Sequence, residues 1–386
     1  MTIFNKIEEI KDNKICIRCV MDKSAPKISF NSRGLCCYCQ NFDSKIKPIW
    51  KNDNSKFQEL KLIASNIKKQ QAKEEFDCLI GVSGGVDSSY LTYFATEELK
   101  LRPLIIHVDA GWNSKVAVEN IEKIIDKLNL ELQTEVVFWP EMSDLQLSFF
   151  KACVPHLDTP QDHSFFAATY NYAAKNNIRF ILNGGNFSTE SIREPLEWHY
   201  HASDLKHLLD IQKKFGTLKL KQFPLSGLFK YKIYYRYFKG IKVIQPLNYI
   251  KYEKNVAKKF LKEKFNWIDY SHKHYESRFT KFFEGFWLIK KFGFDKRKAH
   301  FSSLINSNQM TRDEALKQLE TYPIDEHTIK QDIEFVANKL NISKIQLLDF
   351  LKKEKKSFRD YKSNYFIIDK IIKILNILNL ERRIIH

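Results

Sequence analysis

The chain has 386 residues, of which 44% are hydrophobic, 14% aromatic and 28% charged. That length accommodates about two or three folded units with sizeable cores, and the composition excludes disorder as the dominant state. The formal net charge is +17, from 63 basic and 46 acidic residues, which taken alone invites a nucleic-acid partner. Its distribution is uneven: residues 1–77 carry +5, 78–205 carry −8, 206–300 carry +17 and 301–386 carry +3. The excess therefore resides in one stretch beside an acidic middle segment. This points to a local surface for an anionic ligand, a membrane-proximal face or a partner subunit, with a nucleic acid as the second choice.

Residues 1–50 are Cys-rich and irregular. Cys16-x2-Cys19 and Cys36-x2-Cys39, separated by 16 residues, have the spacing of a four-thiolate zinc knuckle or ribbon. A complete thiolate shell leaves no open position, so the expected Zn2+ is structural. Cys37 competes with Cys36 as a ligand, and the x2 spacing favours Cys36; an iron–sulfur cluster is the alternative occupant. The segment Met1 to Lys14 is charged and lacks the apolar core of a secretory signal. No run of about 18 apolar residues follows. A cytoplasmic protein without a transmembrane helix is the expectation, and seven cysteines then argue for metal binding or catalysis rather than disulfides.

Residues 55–75 read as an amphipathic helix. Strands are expected at 76–83, 102–110, 131–139, 179–186 and 241–247, and helices at 87–99, 114–128, 141–152 and 165–175. Strands alternating with helices imply an α/β fold, with a parallel sheet of about five strands covered by helices on both faces. Ligands then bind beyond the carboxyl ends of the strands. From about Lys251 onward the pattern is helical, with capping boxes at Thr311–Glu314 and Ser343–Gln346. The expected organisation is a four-cysteine zinc module at 1–50, an α/β domain at 51–250 and a helical C-terminal region at 251–386.

The first strand runs into Ser83-Gly84-Gly85-Val86-Asp87-Ser88-Ser89, and a helix follows. Glycines let backbone N–H groups approach an oxyanion, and the helix N-terminus adds free donors and the positive end of its dipole. The Walker pattern GxxxxGK[ST] is absent. His107-Val108-Asp109 through Asn113 ends the second strand, and Asn183-Gly184-Gly185-Asn186 ends the fourth. Together the three segments converge on one crevice. Cys78 is expected in the core, and Cys153 close to the crevice.

The SGGVDSS loop resembles that of the PP-loop ATP pyrophosphatases. The resemblance implies cleavage of ATP between the α- and β-phosphates and adenylation of a substrate oxygen. It implies that Ser83, Gly84, Gly85, Val86, Asp87, Ser88 and Ser89 bind pyrophosphate, with Ser83, Asp87 and Ser88 in catalytic roles and Asp87 near the phosphates or Mg2+. His107, Val108, Asp109 and Gly184 would border the nucleotide. The resemblance extends further through ICIRCVMD (15–22), GLCCYC (34–39), YESRFTKFF (275–283), KFGFDKRKAHFSSLI (291–305) and MTRDEAL (310–316). These segments are similar to the N-acetyl sugar amidotransferases of surface-polysaccharide and nonulosonic-acid biosynthesis. That family is implied to convert an acetamido group to an acetamidino group, using ATP and Mg2+. Its ammonia is implied to come from a glutaminase subunit paired with a barrel subunit, because no glutaminase module is recognisable in this chain.

Polar residues that could meet the sugar are Asp158, Gln161, Asp162 and His163 before a helix, then His272, His274, Glu276 and Arg278, then Lys296, Arg297 and His300. Of these, Asp158, His163, Arg278, Arg297 and His300 are the chosen candidates. The neighbouring Phe282, Phe283, Phe286 and Trp287 are expected in a helix core. The rival enzyme is a tRNA sulfurtransferase of the same superfamily. It would need a reactive cysteine near the loop, for which Cys153 is the available residue.

Overall fold

In a computed structural model, residues 14–50, 54–270 and 275–377 are described. His272 and His274 lie outside the described residues, as does most of the 1–14 segment.

Five strands form one sheet: β1 (Cys78–Gly81), β2 (Pro103–Asp109), β3 (Leu132–Val136), β4 (Phe180–Leu182) and β5 (Lys242–Ile244). The order is β3-β2-β1-β4-β5, and every pair is parallel. The chain winds outward from β1 to β3, then returns to β1's other side for β4 and β5. The order thus reverses between β1 and β4, which opens a crevice beyond their carboxyl ends. Parallel strands require crossovers, and helices supply them. Helix α1 (Asn54–Gln70) precedes β1, and the crossover helices are α2 (Val86–Tyr93), α3 (Lys115–Leu128), α4 (Trp139–Ala152), α5 (Thr159–Lys175) and α6 (Leu205–Phe215).

Strand periodicity partitions the core. Cys78 and Ile80 of β1 face one apolar cluster with Leu60, Leu91 and Ile121, whereas Leu79 faces the other with Ile106, Phe149 and Phe279. Because both faces are covered, β1, β2 and β4 read as continuous apolar runs. The edge strand β3 instead alternates between exposed and half-buried residues. Each fully buried Leu, Ile or Phe contributes about 1.5–3 kcal/mol relative to exposure.

Local chemistry sets the boundaries. Ser114 caps α3 by accepting from the Ala117 N–H at 3.1 Å, and Asn129 ends it in the left-handed region at φ 49°. Helix α5 begins at Thr159, earlier than expected, because Pro160 in its first turn is compatible with helix initiation. The Asp158–His163 cluster expected in a loop therefore forms the cap and first turns of α5.

Beyond β5 only helices follow among the described residues: α7 (Lys254–Phe265), α8 (Arg278–Phe282), α9 (Leu288–Phe292), α10 (Arg297–Asn306), α11 (Arg312–Leu319), α12 (Glu326–Lys339), α13 (Lys344–Lys352) and α14 (Tyr365–Ile377). Both capping boxes form as expected. Phe282, Phe283, Phe286 and Trp287 are fully buried, with Trp287 edge-on to Phe150 at 4.8 Å. They weld the C-terminal helices to α4 as core. Among the described residues no helix is long and apolar enough to cross a membrane.

The N-terminal cysteine segment packs on α10 and α11. The Val20 N–H donates to Ser302 Oγ at 3.2 Å, and Lys298 pairs with Asp22 at 2.5 Å.

Candidate active site and metal centre

The loop from Ser83 to Ser89 leaves β1 and enters α2 at the switch point. Gly84 has φ +81°, and an added Cβ there would lie 2.5 Å from the Ala117 carbonyl oxygen. Only glycine fits, for both reasons. The Gly84 carbonyl accepts from the Trp267 indole at 3.0 Å, with the Tyr270 hydroxyl at 3.4 Å and the Asn120 amide at 3.5 Å beside it. These contacts fix the peptide that precedes the N-terminus of α2. That N-terminus has no side-chain cap, because Gly85 occupies the cap position. On the opposite wall Gly184 approaches so closely that a Cβ would lie 3.1 Å from the Asp87 carbonyl carbon and 3.2 Å from the Ser88 nitrogen.

Two cavities meet here. One, of about 240 Å³, is lined by Ser83, Asp87, Ser88, Gly184, Lys254 and Lys258 among others. The second, of about 330 Å³, is bordered by His107, Val108, Asn113, Phe166, Tyr170 and Ile181 among others. Gly81, Ser83, Asn183 and Gly184 belong to both. A polar chamber with lysines thus adjoins a more apolar one, a division suited to the phosphates and base of a nucleotide.

Sequence reasoning missed several groups in the polar chamber and directly behind its lining. Tyr252 donates its hydroxyl to Asp87 Oδ1 at 2.5 Å. Burial and the adjacent Asp87 carboxylate raise the Tyr252 phenol well above its ordinary range, so it stays a donor. Lys258 and Lys262 bracket Asp269 at 2.8 and 2.9 Å. Burial alone would push the Asp269 carboxyl up, but the two ammonium groups outweigh it and hold the carboxyl below the usual range. Glu276 from the start of the C-terminal helices stands over Gly85. The only sequence signal for Lys254 and Lys258 was the basic excess of residues 206–300, part of which lines the crevice rather than the outer surface.

At the end of β2, His107 Nδ1 donates to the Val82 carbonyl at 3.0 Å, so Nε2 is left to accept from the Asn113 amide at 2.8 Å. Asp109 in turn receives the Asn113 amide at 3.0 Å and the Gly111 N–H at 2.7 Å. Lys339 of α12 reaches the Gly111 carbonyl and lies 4.7 Å from the Trp139 ring centre.

The proposed sugar-side residues are distributed differently from the expectation. His163 is buried, with Nδ1 donating to Ala202 O at 2.7 Å and Nε2 accepting from the Ser226 N–H at 3.2 Å. Both ring nitrogens are consumed by backbone, and burial lowers this imidazole to about 4. Asp158 is buried under the Gln161 amide at 3.0 Å and the Thr280 hydroxyl at 3.2 Å. Arg278 pairs with Asp332 at 2.8 Å, and Arg297 is held by Asp295 at 2.6 Å and the Gln318 carbonyl at 2.8 Å. None of these four lines either cavity. Their polar atoms are committed to neighbouring elements. His300 stands behind Lys254 of the polar cavity, with Nε2 3.3 Å from its Nζ. Asp162, by contrast, does line the second cavity.

Cys153 ends α4 in the left-handed region at φ 56°, is buried, and lines neither cavity. The expectation that it sits at the crevice is corrected. Cys78 is core, as expected.

Cys16, Cys19, Cys36 and Cys39 are fully buried, and their sulfurs all lie within 4.8 Å of one another. Cys19 Sγ and Cys36 Sγ are 3.7 Å apart. Four sulfurs bound tetrahedrally at about 2.3 Å from zinc lie about 3.8 Å apart, so the set fits a zinc ion. Cys36 rather than Cys37 joins the cluster, as the spacing indicates. The Cys36 N–H points at Cys16 Sγ at 3.3 Å and the Met21 N–H at Cys19 Sγ at 3.5 Å, contacts that orient thiolate ligands. Arg312 clamps the Cys16 and Cys19 carbonyls at 3.2 and 3.3 Å.

The parallel sheet, its switch-point crevice and the glycine loop at the end of the central strand define a doubly wound α/β protein. Residues 276–375 match the family model of the C-terminal domain of WbpG-like LPS biosynthesis proteins. The match begins after the parallel sheet and the four-cysteine cluster, and it shows what this C-terminal stretch is similar to. A stretch of 118 residues is 29% identical to an uncharacterized protein of Methanocaldococcus jannaschii; it covers 30% of this chain and 40% of that protein's length. Among solved structures, NMN synthetase from Francisella tularensis is 14% identical, covering 57% of this chain and 94% of that one with a TM-score of 0.28. The NH3-dependent NAD synthetase from Campylobacter jejuni, in complex with the nitrate ion, is 16% identical over 78% of this chain and 98% of its own, with a TM-score of 0.30.

Proposed function

We propose that the protein is the synthetase component of an ATP-dependent N-acetyl sugar amidotransferase in surface-polysaccharide biosynthesis. The observation that carries this reading is the meeting of Glu276, the first residue of the WbpG-like domain, with Gly85 of the glycine loop inside one cavity. A domain associated with lipopolysaccharide biosynthesis then helps to close an ATP-activating loop. On this reading residues 1–50 form the zinc module, 51–250 the ATP pyrophosphatase domain and 251–386 the helical domain.

The chemistry follows from the poor electrophilicity of an amide. Its oxygen attacks the α-phosphorus of ATP and pyrophosphate leaves. Ammonia then adds to the activated carbon, loses a proton, and AMP departs. The backbone from Ser83 to Ser89 holds pyrophosphate, Lys254 and Lys258 add positive charge, and Asp87 stands beside the phosphates or their Mg2+. The second cavity takes the adenosine against His107, Val108 and Asp109. The protein acts through positioning and charge stabilisation at phosphorus. Ammonia is supplied by a separate glutaminase with its barrel subunit. The sugar enters where Asp162 borders the second cavity, since Asp158, His163, Arg278 and Arg297 are engaged elsewhere.

The test is incubation with ATP, Mg2+, ammonium and a panel of acetamido sugars. Equal release of AMP and pyrophosphate, dependent on both sugar and ammonium, with exchange of oxygen for NH in the product, supports the reading. Release of AMP that requires tRNA instead overturns it.

A further inference from the structure

A run of 42 residues, from Ile211 to Tyr252, carries ten Lys or Arg and no Asp or Glu. Its centre, Lys230–Phe238, forms a π-helix that leads into the edge strand β5. The wide turn of that helix sorts its residues by face. Tyr231 and Tyr235 pack on Tyr170 of α5, each with ring centres 5.2 Å apart. Phe229, Ile233, Tyr237 and Phe238 point outward, and Phe238 is 75% exposed. Lys232, Arg236 and Lys242 are exposed among them and make no ion pair with another described residue. Val243, next on β5, is exposed and also borders the second cavity.

Large apolar side chains left in water are costly, and unpaired cations beside them select an anionic partner. Rings and aliphatic side chains interleaved with lysine and arginine on one shallow helical face match the headgroup boundary of an anionic bilayer. There the apolar groups enter the acyl boundary and the cations meet phosphates. A single-stranded nucleic acid would use rings as stacking platforms, but Ile233 and Val243 offer no such face.

We propose that the face built by Phe229–Val243 docks the protein on an anionic membrane surface, with the nucleotide crevice opening beside the lipid. This docking is independent of the reaction assigned above.

The experiment is co-sedimentation of the full chain with phosphatidylcholine vesicles, with and without phosphatidylglycerol. Binding only to the anionic vesicles, weakened by salt, is expected. Charge reversal, as in Lys232→Glu with Arg236→Glu, should lower partitioning at least about fivefold per residue, since each cation near such a surface contributes about 1 kcal/mol. Phe229→Ser with Phe238→Ser should also weaken binding at unchanged charge. Thermal unfolding of each variant shows that the fold is intact. Absence of binding by the folded wild-type chain overturns the proposal, as does RNA binding without vesicle binding, or loss in the charge variant with none in the phenylalanine variant.

Discussion

The Tyr252 hydroxyl lies 2.5 Å from Asp87 Oδ1, joining the stretch after β5 to the loop after β1 across 165 residues of sequence. The contact fixes one carboxylate oxygen of the residue expected to work beside the phosphates.

Tyr252→Phe should keep the fold and reduce ATP turnover about tenfold, because Asp87 loses a charge-assisted hydrogen bond that orients it. Stability should fall by about 1–3 kcal/mol, the loss of a hydrogen bond from a buried phenol to a charged carboxylate. Pyrophosphate release and thermal unfolding measure the two effects. Unchanged turnover would show that Asp87 is oriented without Tyr252.

Asp87→Ala and Ser88→Ala should each abolish ATP turnover while the protein remains folded. Circular dichroism and a pyrophosphate assay separate the two outcomes. Normal turnover in both would refute the proposed cradle.

Gly84→Ala combines a positive φ with a collision against the Ala117 carbonyl. It should destabilise by about 1–3 kcal/mol and displace the loop. Trp267→Phe removes only the donor to Gly84 and should raise KM for ATP with a smaller effect on stability. If both variants bind ATP normally, loop geometry is not set by these contacts.

Extraction of zinc, or Cys36→Ser, should loosen residues 14–50 first. Hydrogen exchange should rise there and at Arg312 of α11 before it rises at the glycine loop. Metal analysis should find one zinc per chain in the wild type. Simultaneous loss of protection throughout would contradict a locally structural role.

His156 and His207 share a buried contact, Nε2 to Nε2 at 2.8 Å. Burial holds His207 at about 4 and His156 well below its ordinary 6.5. Both native values lie below the unfolded one, so the unfolded state binds more protons as the pH falls. Stability should be full above about pH 6.5 and decline from there through about pH 4. His207→Gln should flatten that decline in unfolding midpoints measured against pH. An equally steep curve in the variant would assign the effect to other groups.

Much of this architecture is legible in residue order. Apolar runs flanked by helical patterns specify the parallel sheet, and small residues in SGGVDSS specify the cradle, since both are local properties. The CxxC pairs likewise present sulfurs in fixed local turns, so Cys36 is distinguishable from Cys37 by spacing. Side-chain commitments across the fold are a different matter. His163, Arg278 and Arg297 look available in sequence because nothing local to His163 shows Ala202 and Ser226, nothing local to Arg278 shows Asp332, and nothing local to Arg297 shows Gln318.

The total charge shows the same division. Sequence alone determined that the excess of +17 equals the charge of residues 206–300. Only tertiary structure decided that Lys254 and Lys258 turn into the polar cavity while Lys232, Arg236 and Lys242 face outward. The reason is physical. Strand and loop identity follow from nearest-neighbour patterning, whereas the direction of a lysine depends on which distant element it packs against.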